Sequence, residues 1–337
     1  MPDFPSPQEP LVEGRDLPDG AAVVGSAVCD PARAWHYGEF YGLKPVPDEA
    51  PLLVVHGNCQ AESLRILLQQ APDSPCASVR IPPVHELHAD EVPLLQRLLR
   101  RAAAVVVQPI AGGYHDLPLG TEDVRRASPV AEVVVFPVFR YAGLLPCQVV
   151  HTDATHGDPP VVPYHDVCTL LRAAGRDEDA ARVSAGLGDH ARAVSQWSLD
   201  ELARRESASG SVVVSDLVTG AGARSTNTIN HPGNPILVGL AQRVEEALGW
   251  PTTAQDPGRE LLDSIHAPLD ARVLAALGLD PVAATDHWRV GDRELHPEDV
   301  ARDQIDWYRE RPAVLEDLLG RSATQLRLLG VETGVGR

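Results

Sequence analysis

Short apolar runs alternate with helical stretches between residues 52 and 136, and this alternation constrains the fold more than any other feature of the chain. Residues 52–56, 77–81, 103–108 and 130–136 read as strands, with helices expected over residues 61–70 and 90–101. Strands separated by helices must lie parallel, because the return crossing is made by the helix, so the expected fold class is α/β, a parallel sheet with flanking helices. Ligands of such open sheets bind beyond the carboxyl ends of the strands. The turn Gly57-Asn58-Cys59-Gln60 falls at such an end.

The rest of the chain divides by composition. Residues 1–50 are rich in Pro, Gly and Asp, with one apolar run at 21–25, and read as an N-terminal arm over the later domain. Residues 51–250 form the α/β domain. Within it, 163–209 reads as a helical insertion, with helices over 164–174, 177–187 and 199–206, the last capped by Ser198 with Glu201 three residues on. Strand character returns at 211–215, and residues 235–248 form an amphipathic helix that starts on a proline. Residues 251–337 read as a helical C-terminal extension, with helices near 272–277 and 297–329.

Hydrophobic residues make up 44% of the chain but aromatics only 4%, so Val, Leu and Ala must do most of the packing, as suits an α/β protein. A formal charge of −18 opposes binding to nucleic acid or to an anionic membrane, both of which need clustered cations. The expected partner is a small molecule or carbohydrate. Five cysteines (Cys29, Cys59, Cys76, Cys147, Cys168) are scattered without a Cys-x-x-Cys pair, which points to reduced thiols and a cytoplasmic location. The acidic, proline-rich start lacks the basic and then apolar pattern of a secretory signal, and no stretch reaches the roughly 20 apolar residues of a membrane span. Abundant Ala, Arg, Val and Pro fit a GC-rich bacterial genome.

Cys59 is the first candidate for chemistry. At a strand-to-helix corner the free amides and partial positive charge of the helix start favour a thiolate, the nucleophilic form, and Gly57 leaves room for a ligand. The alternative is a small apolar side chain packed under the helix. Polar Asn58 and Gln60 flank the thiol where a core position would have apolar neighbours. His231, in the polar loop Asn230-His231-Pro232-Gly233 before a helix, is the candidate base that accepts the thiol proton and returns it to a leaving group. Gln108, closing a Val-rich strand, and Asn58 are candidate donors to an oxyanion, or structural ties. Arg140 and Tyr141, after a strand ending Phe136-Pro137, are candidate contacts to a phosphate or sugar, with Arg80 and Arg224 as weaker ones.

Two clusters have metal-ligand character: His85, His88 and Asp90, and His151, Asp153 and His156. Both sit in expected loops, where such residues are ordinarily solvated, and no metal is expected. His115 and Asp116 are either an active-site wall or a turn.

Four segments together resemble the family of polysaccharide-biosynthesis acetyltransferases typified by WcbI. They are the strand with Gly57-Asn58-Cys59-Gln60, the strand ending Gln108-Pro109-Ile110, Phe136-Pro137 with Tyr141-Ala142-Gly143 and Pro146, and Asn230-His231-Pro232. The resemblance spans residues 52–248. It implies a fold distantly similar to the three-layer, flavodoxin-like SGNH hydrolases, coenzyme A or acyl-coenzyme A as co-substrate, and acyl transfer to a carbohydrate hydroxyl. In that comparison Cys59 and His231 are catalytic, Gly57, Asn58, Gln60, Gln108 and Asn230 surround the oxyanion and substrate, and Arg140, Tyr141 and Arg224 face the cofactor. Thr228 stands where those hydrolases carry the acidic triad member, so the implied site is a Cys–His dyad. Two other functions remain open at this level: a cysteine-dependent hydrolase, and a non-catalytic protein that binds coenzyme A or a nucleotide sugar.

Overall fold

A computed structural model describes residues 30–46, 50–149 and 157–332. Strands β1 (Leu52–His56), β2 (Ala77–Ser78), β3 (Ala102–Val107) and β4 (Glu132–Val135) form a parallel sheet in the order β2-β1-β3-β4. The chain steps to one side of β1 and then crosses to the other, which puts the switch point of the topology between β1 and β3, above Cys59 and Gln108.

Side chains alternate across the sheet and divide the interior in two. Leu53 and Val55 of β1 join Ala104 and Val106 of β3 in one core, whereas Leu52 and Val54 join Val105 and Val107 in the other. The helices Cys59–Gln70 and Asn234–Ala247 pack together on the first face, and Val92–Arg101 and Thr121–Ala127 cover the second. The result is the three-layer α/β arrangement with helical additions.

Several expected elements differ in extent. The second strand pairs over only two residues, and Pro82 and Pro83, which lack amide donors, follow soon after. Residues 211–214 lie beside β4 but are joined by one bond, Val212 N–H to Val135 O (2.9 Å), without a ladder. Ser198 is no cap. It lies inside a 23-residue helix, Leu187–Ser209, and its hydroxyl accepts the Ala142 N–H at 2.9 Å. The apparent start signal in the sequence therefore serves a tertiary contact.

The C-terminal part is not purely helical. A small antiparallel sheet joins Ile265–His266, Trp288–Val290 and Arg293–Leu295, with Gly291 at φ 55° and Asp292 making the hairpin turn. That Gly-Asp pair is a hairpin signal that helical periodicity masked. The helices Pro297–Arg309, Pro312–Arg321 and Ala323–Leu328 follow, interrupted where Pro312 cannot continue the backbone ladder. Leu326, Leu329 and Val331 belong to the same buried cluster as β1 and β3. At the other end the described part of the arm forms two short helices, Pro31–His36 and Gly38–Tyr41. Phe40 is buried in the second core and Arg33 pairs with Glu86 at 2.7 Å. The run at 21–25 lies outside the described residues. No helix among the described residues is long and apolar enough to cross a membrane.

If the final helix completes the shared core, Leu329→Ala should cost about 2–5 kcal/mol, as for other large-to-small core substitutions. Urea unfolding checks this, and an unchanged midpoint would mean that the segment is peripheral.

Candidate active site

Cys59 is the first residue of its helix, and Asn58 caps it, the side-chain oxygen accepting the Gln60 N–H at 3.0 Å. The Ala61 N–H returns to Asn58 O (2.9 Å), and the Cys59 and Gln60 amides are directed at the Cys59 sulfur. His231 arrives from far along the chain, on a two-residue strand, His231–Pro232, paired with Thr226–Thr228. Its Nε2 stands 3.7 Å from Cys59 Sγ, within reach of a thiol proton.

Two glutamines hold these loops together. Gln60 donates through Nε2 to Phe139 O (3.0 Å) and Asn230 O (2.7 Å), and its Oε1 accepts from Phe139 N–H (3.0 Å) and Gln108 Nε2 (3.2 Å). Gln108 accepts the Asn58 N–H at 2.8 Å. Both amides are thus committed to the backbone of neighbouring loops, so Gln60 and Gln108 brace the site rather than facing an oxyanion. Gly57 is required by this packing, since a Cβ there would lie 2.5 Å from Gln108 Oε1.

Asn230 is likewise taken. Its Oδ1 accepts from the Tyr164 hydroxyl (2.9 Å), which in turn accepts from Thr228 Oγ1 (2.8 Å). Tyr164 stands edge-on to the His231 ring (centroids 6.2 Å) and stacks on Trp288 (6.0 Å), so the C-terminal hairpin backs the histidine. With Thr228 engaged in this way, His231 Nδ1 is buried without a partner among the described residues. Among the described residues no carboxylate is bonded to the ring.

Burial sets the charge state. It pushes the Cys59 thiol up to about 11, the backbone amides of Cys59 and Gln60 offsetting only part of the cost of dehydration. It also pushes His231 down to about 4, with nearby His266 adding a small repulsion. The thiolate expected from the helix start is therefore not the resting form. At neutral pH a thiol faces a neutral imidazole, which is a pair with an unprotonated base ready to accept the Sγ proton as sulfur attacks.

A cavity of about 320 Å³ opens beside Cys59 and Asn58, lined also by Tyr37, Arg80, Arg259 and Leu262. Tyr37 comes from the N-terminal arm. Arg80 pairs with Glu62 at 3.1 Å. Arg259 and Leu262 carried no motif in the sequence and reach the site only through tertiary folding. Leu262 is held at φ 51°, a conformation that costs a non-glycine residue energy and that clusters at functional sites.

The expected cofactor contacts separate. Tyr141 is buried with its hydroxyl bonded to Ser195 Oγ (2.8 Å) and faces no cavity. Arg224 is exposed and lines none of the cavities. Arg140 lines a different cavity, between the ends of β3 and β4. Among the described residues no group of three or more His, Cys, Asp or Glu converges as a metal site. His85, His88 and Asp90 are exposed, His115 and Asp116 form an exposed turn with positive φ, and His151, Asp153 and His156 lie outside the described residues.

A three-layer α/β fold with a Cys–His pair at its switch point now has a counterpart among known families. The sequence profile described as polysaccharide biosynthesis enzyme WcbI matches residues 52–253, so the chain belongs to the WcbI family of polysaccharide biosynthesis enzymes. A solved WcbI structure, described as a novel polysaccharide biosynthesis enzyme in its native form without a disulfide bond between coenzyme A and a cysteine, is similar in fold. It has a TM-score of 0.71 at 20% identity, covering 83% of this chain and 99% of that one. No curated protein sequence matches the chain.

Because Cys59 rests as a thiol, its alkylation by iodoacetamide should climb steadily from pH 7 to 10 as the thiolate fraction grows toward a pKa of about 11. A rate already flat near pH 7, followed by peptide mass mapping, would show an ion pair instead. Gly57→Ala should force Gln108 off Asn58 and destabilise the protein by about 1–3 kcal/mol, the usual cost of overpacking. A variant with unchanged thermal stability would mean that this contact yields freely.

Proposed function

We propose that the protein is an acyltransferase that moves an acyl group, acetyl in the simplest case, from acyl-coenzyme A to a hydroxyl of a carbohydrate or sugar-containing metabolite. The observation that carries this reading is the 3.7 Å approach of His231 Nε2 to Cys59 Sγ at the carboxyl edge of the sheet. Membership of a polysaccharide biosynthesis family supports a carbohydrate acceptor. The mention of coenzyme A beside a cysteine in the description of the similar WcbI structure supports coenzyme A as the donor. The chemistry of the cavity fits such a donor, since Arg259 and Arg80, the latter paired with Glu62, line it together with Cys59 and suit phosphate oxygens.

In the first half-reaction Cys59 Sγ attacks the thioester carbonyl while its proton passes to His231 Nε2. The carbonyl oxygen gains negative charge, and in this reading the Cys59 N–H and the Asn58 side-chain amide donate to it. Collapse breaks the bond to the coenzyme A sulfur, which takes the proton from His231. The exchange trades one thioester for another and needs little driving force. In the second half-reaction His231 accepts the proton of the acceptor hydroxyl as its oxygen attacks the acyl carbon, and the proton then returns to Cys59 Sγ. The neutral imidazole is suited to both steps because it begins each one unprotonated.

Intact-protein mass spectrometry after exposure to acetyl-coenzyme A, without acceptor, tests the covalent step. The wild type should gain one acetyl mass, Cys59→Ala none, and His231→Ala should gain it at least 10²-fold more slowly, the usual contribution of general base catalysis. A wild type that transfers acetyl to acceptor yet never carries the mass would replace this route by direct attack.

A further inference from the structure

A second cavity, of about 590 Å³, opens at the same edge of the sheet but between the ends of β3 and β4. One wall is the chain that follows these strands, including Pro109, Pro137 and Arg140. The other is the end of helix Leu187–Ser209, with Arg204 and Arg205. Gln108 stands between the two chambers, its Oε1 bonded to Asn58 on the Cys59 side and its Nε2 reaching Pro137 O (3.5 Å) on the other.

Arg140 and Arg205 are out of pattern in this protein. The chain carries 47 acidic residues against 29 Lys and Arg, so carboxylates are plentiful. Yet Arg140 Nε and Arg205 Nε and Nη2 are sealed from solvent and bond to nothing among the described residues. The nearby carboxylates are occupied. Glu201 pairs with Arg204 (2.9 Å), Glu122 with Arg125 (3.4 Å), and Glu206 accepts from the Val214 and Ser215 amides and the Ser215 hydroxyl. The two guanidiniums also repel each other, and burial and that repulsion both lower the pKa of Arg205. The carboxyl end of the long helix supplies about half a negative charge, too little to balance two partly buried cations. Unpaired buried charge is costly, and a fold that retains it does so where a ligand completes the balance.

We infer that the cavity between Arg140 and Arg205 is a binding site for a phosphate ester. Two planar guanidiniums offer paired N–H donors that match phosphate oxygens. A phosphomonoester carries about −1.5 to −2 charges at neutral pH, which balances two arginines as a single carboxylate does not. The same chemistry is found on coenzyme A and on the diphosphate of a nucleotide sugar. The site does not depend on acyl transfer at Cys59 and would stand if that reading failed.

Thermal unfolding and calorimetric titration of the full chain test it, using the wild type, Arg140→Met and Arg205→Met. The probes are inorganic phosphate against chloride at equal ionic strength, coenzyme A, pantetheine and UDP-glucose. Phosphate should raise the wild-type Tm by several degrees and leave both methionine variants unmoved. In phosphate-free buffer the variants should melt at or above the wild-type temperature, because an uncompensated charge has been removed. The phosphate-bearing ligand that belongs here, coenzyme A or UDP-glucose, should bind either variant at least 10-fold more weakly than wild type. Pantetheine, which lacks phosphate, should not distinguish wild type from the methionine variants. The proposal is overturned if no phosphate-bearing probe shifts the wild type or if all shift the variants equally. It is also overturned if the variants melt well below wild type without phosphate, since the arginines would then be structural.

Discussion

The geometry of the Cys59–His231 pair depends on a pair of buried amides. Gln60 spends its two side-chain donors on Phe139 and Asn230, Gln108 its two on Pro137 and Gln60, and their acceptors take N–H groups from Asn58, Phe139 and Gln108. These bonds tie the ends of β1, β3 and β4 to the loop that carries His231. Buried hydrogen bonds of this kind contribute modestly when made and cost much more when one partner is lost, so the loops are held together as a unit. The pairing of Cys59 with a histidine 172 residues away follows from that bracing.

The same enclosure explains the electrostatics. A thiol at a helix start in water would be drawn toward its anion, yet here dehydration outweighs the helix amides, and the neighbouring histidine is pushed the other way by the same cause. Both partners rest neutral. Such a pair stores no ion in the dry interior. Without a carboxylate behind it, His231 is positioned by packing instead, edge-on to Tyr164, which stacks on Trp288.

Contacts of the C-terminal segment therefore bear on the site directly. Trp288 backs the histidine through Tyr164, and the chain just before the small sheet supplies Arg259, Leu261 and Leu262 to the cavity beside Cys59. The arm contributes Tyr37 from the opposite end of the sequence. Folding also brings together two cysteines that look unrelated in the sequence, with Cys147 and Cys168 Sγ atoms 3.9 Å apart in a thiol–thiol hydrogen bond and no disulfide between them. Their thiols meet where residues 148–149 pair with 165–166, just beyond the range of any short motif.

Local chemistry alone determined the parallel α/β sheet, the corner that carries Cys59, and the loop that carries His231. The strands are short Val- and Leu-rich runs, the helices are amphipathic, and a polar Gly-Asn-Cys-Gln turn between them has few structural uses. These signals lie within a few residues of one another, so they survive being read one segment at a time. The roles of Gln60, Gln108 and Asn230 did not, because an amide side chain looks the same whether it faces a substrate or a carbonyl on another loop. Ser198, read as a cap, belongs to a long helix for the same reason, its real partner being Ala142 N–H. Tertiary structure also decided the ionisation of Cys59 and His231 and the isolation of Arg140 and Arg205, since dehydration and charge compensation are set by everything that packs around a group and not by its neighbours along the chain.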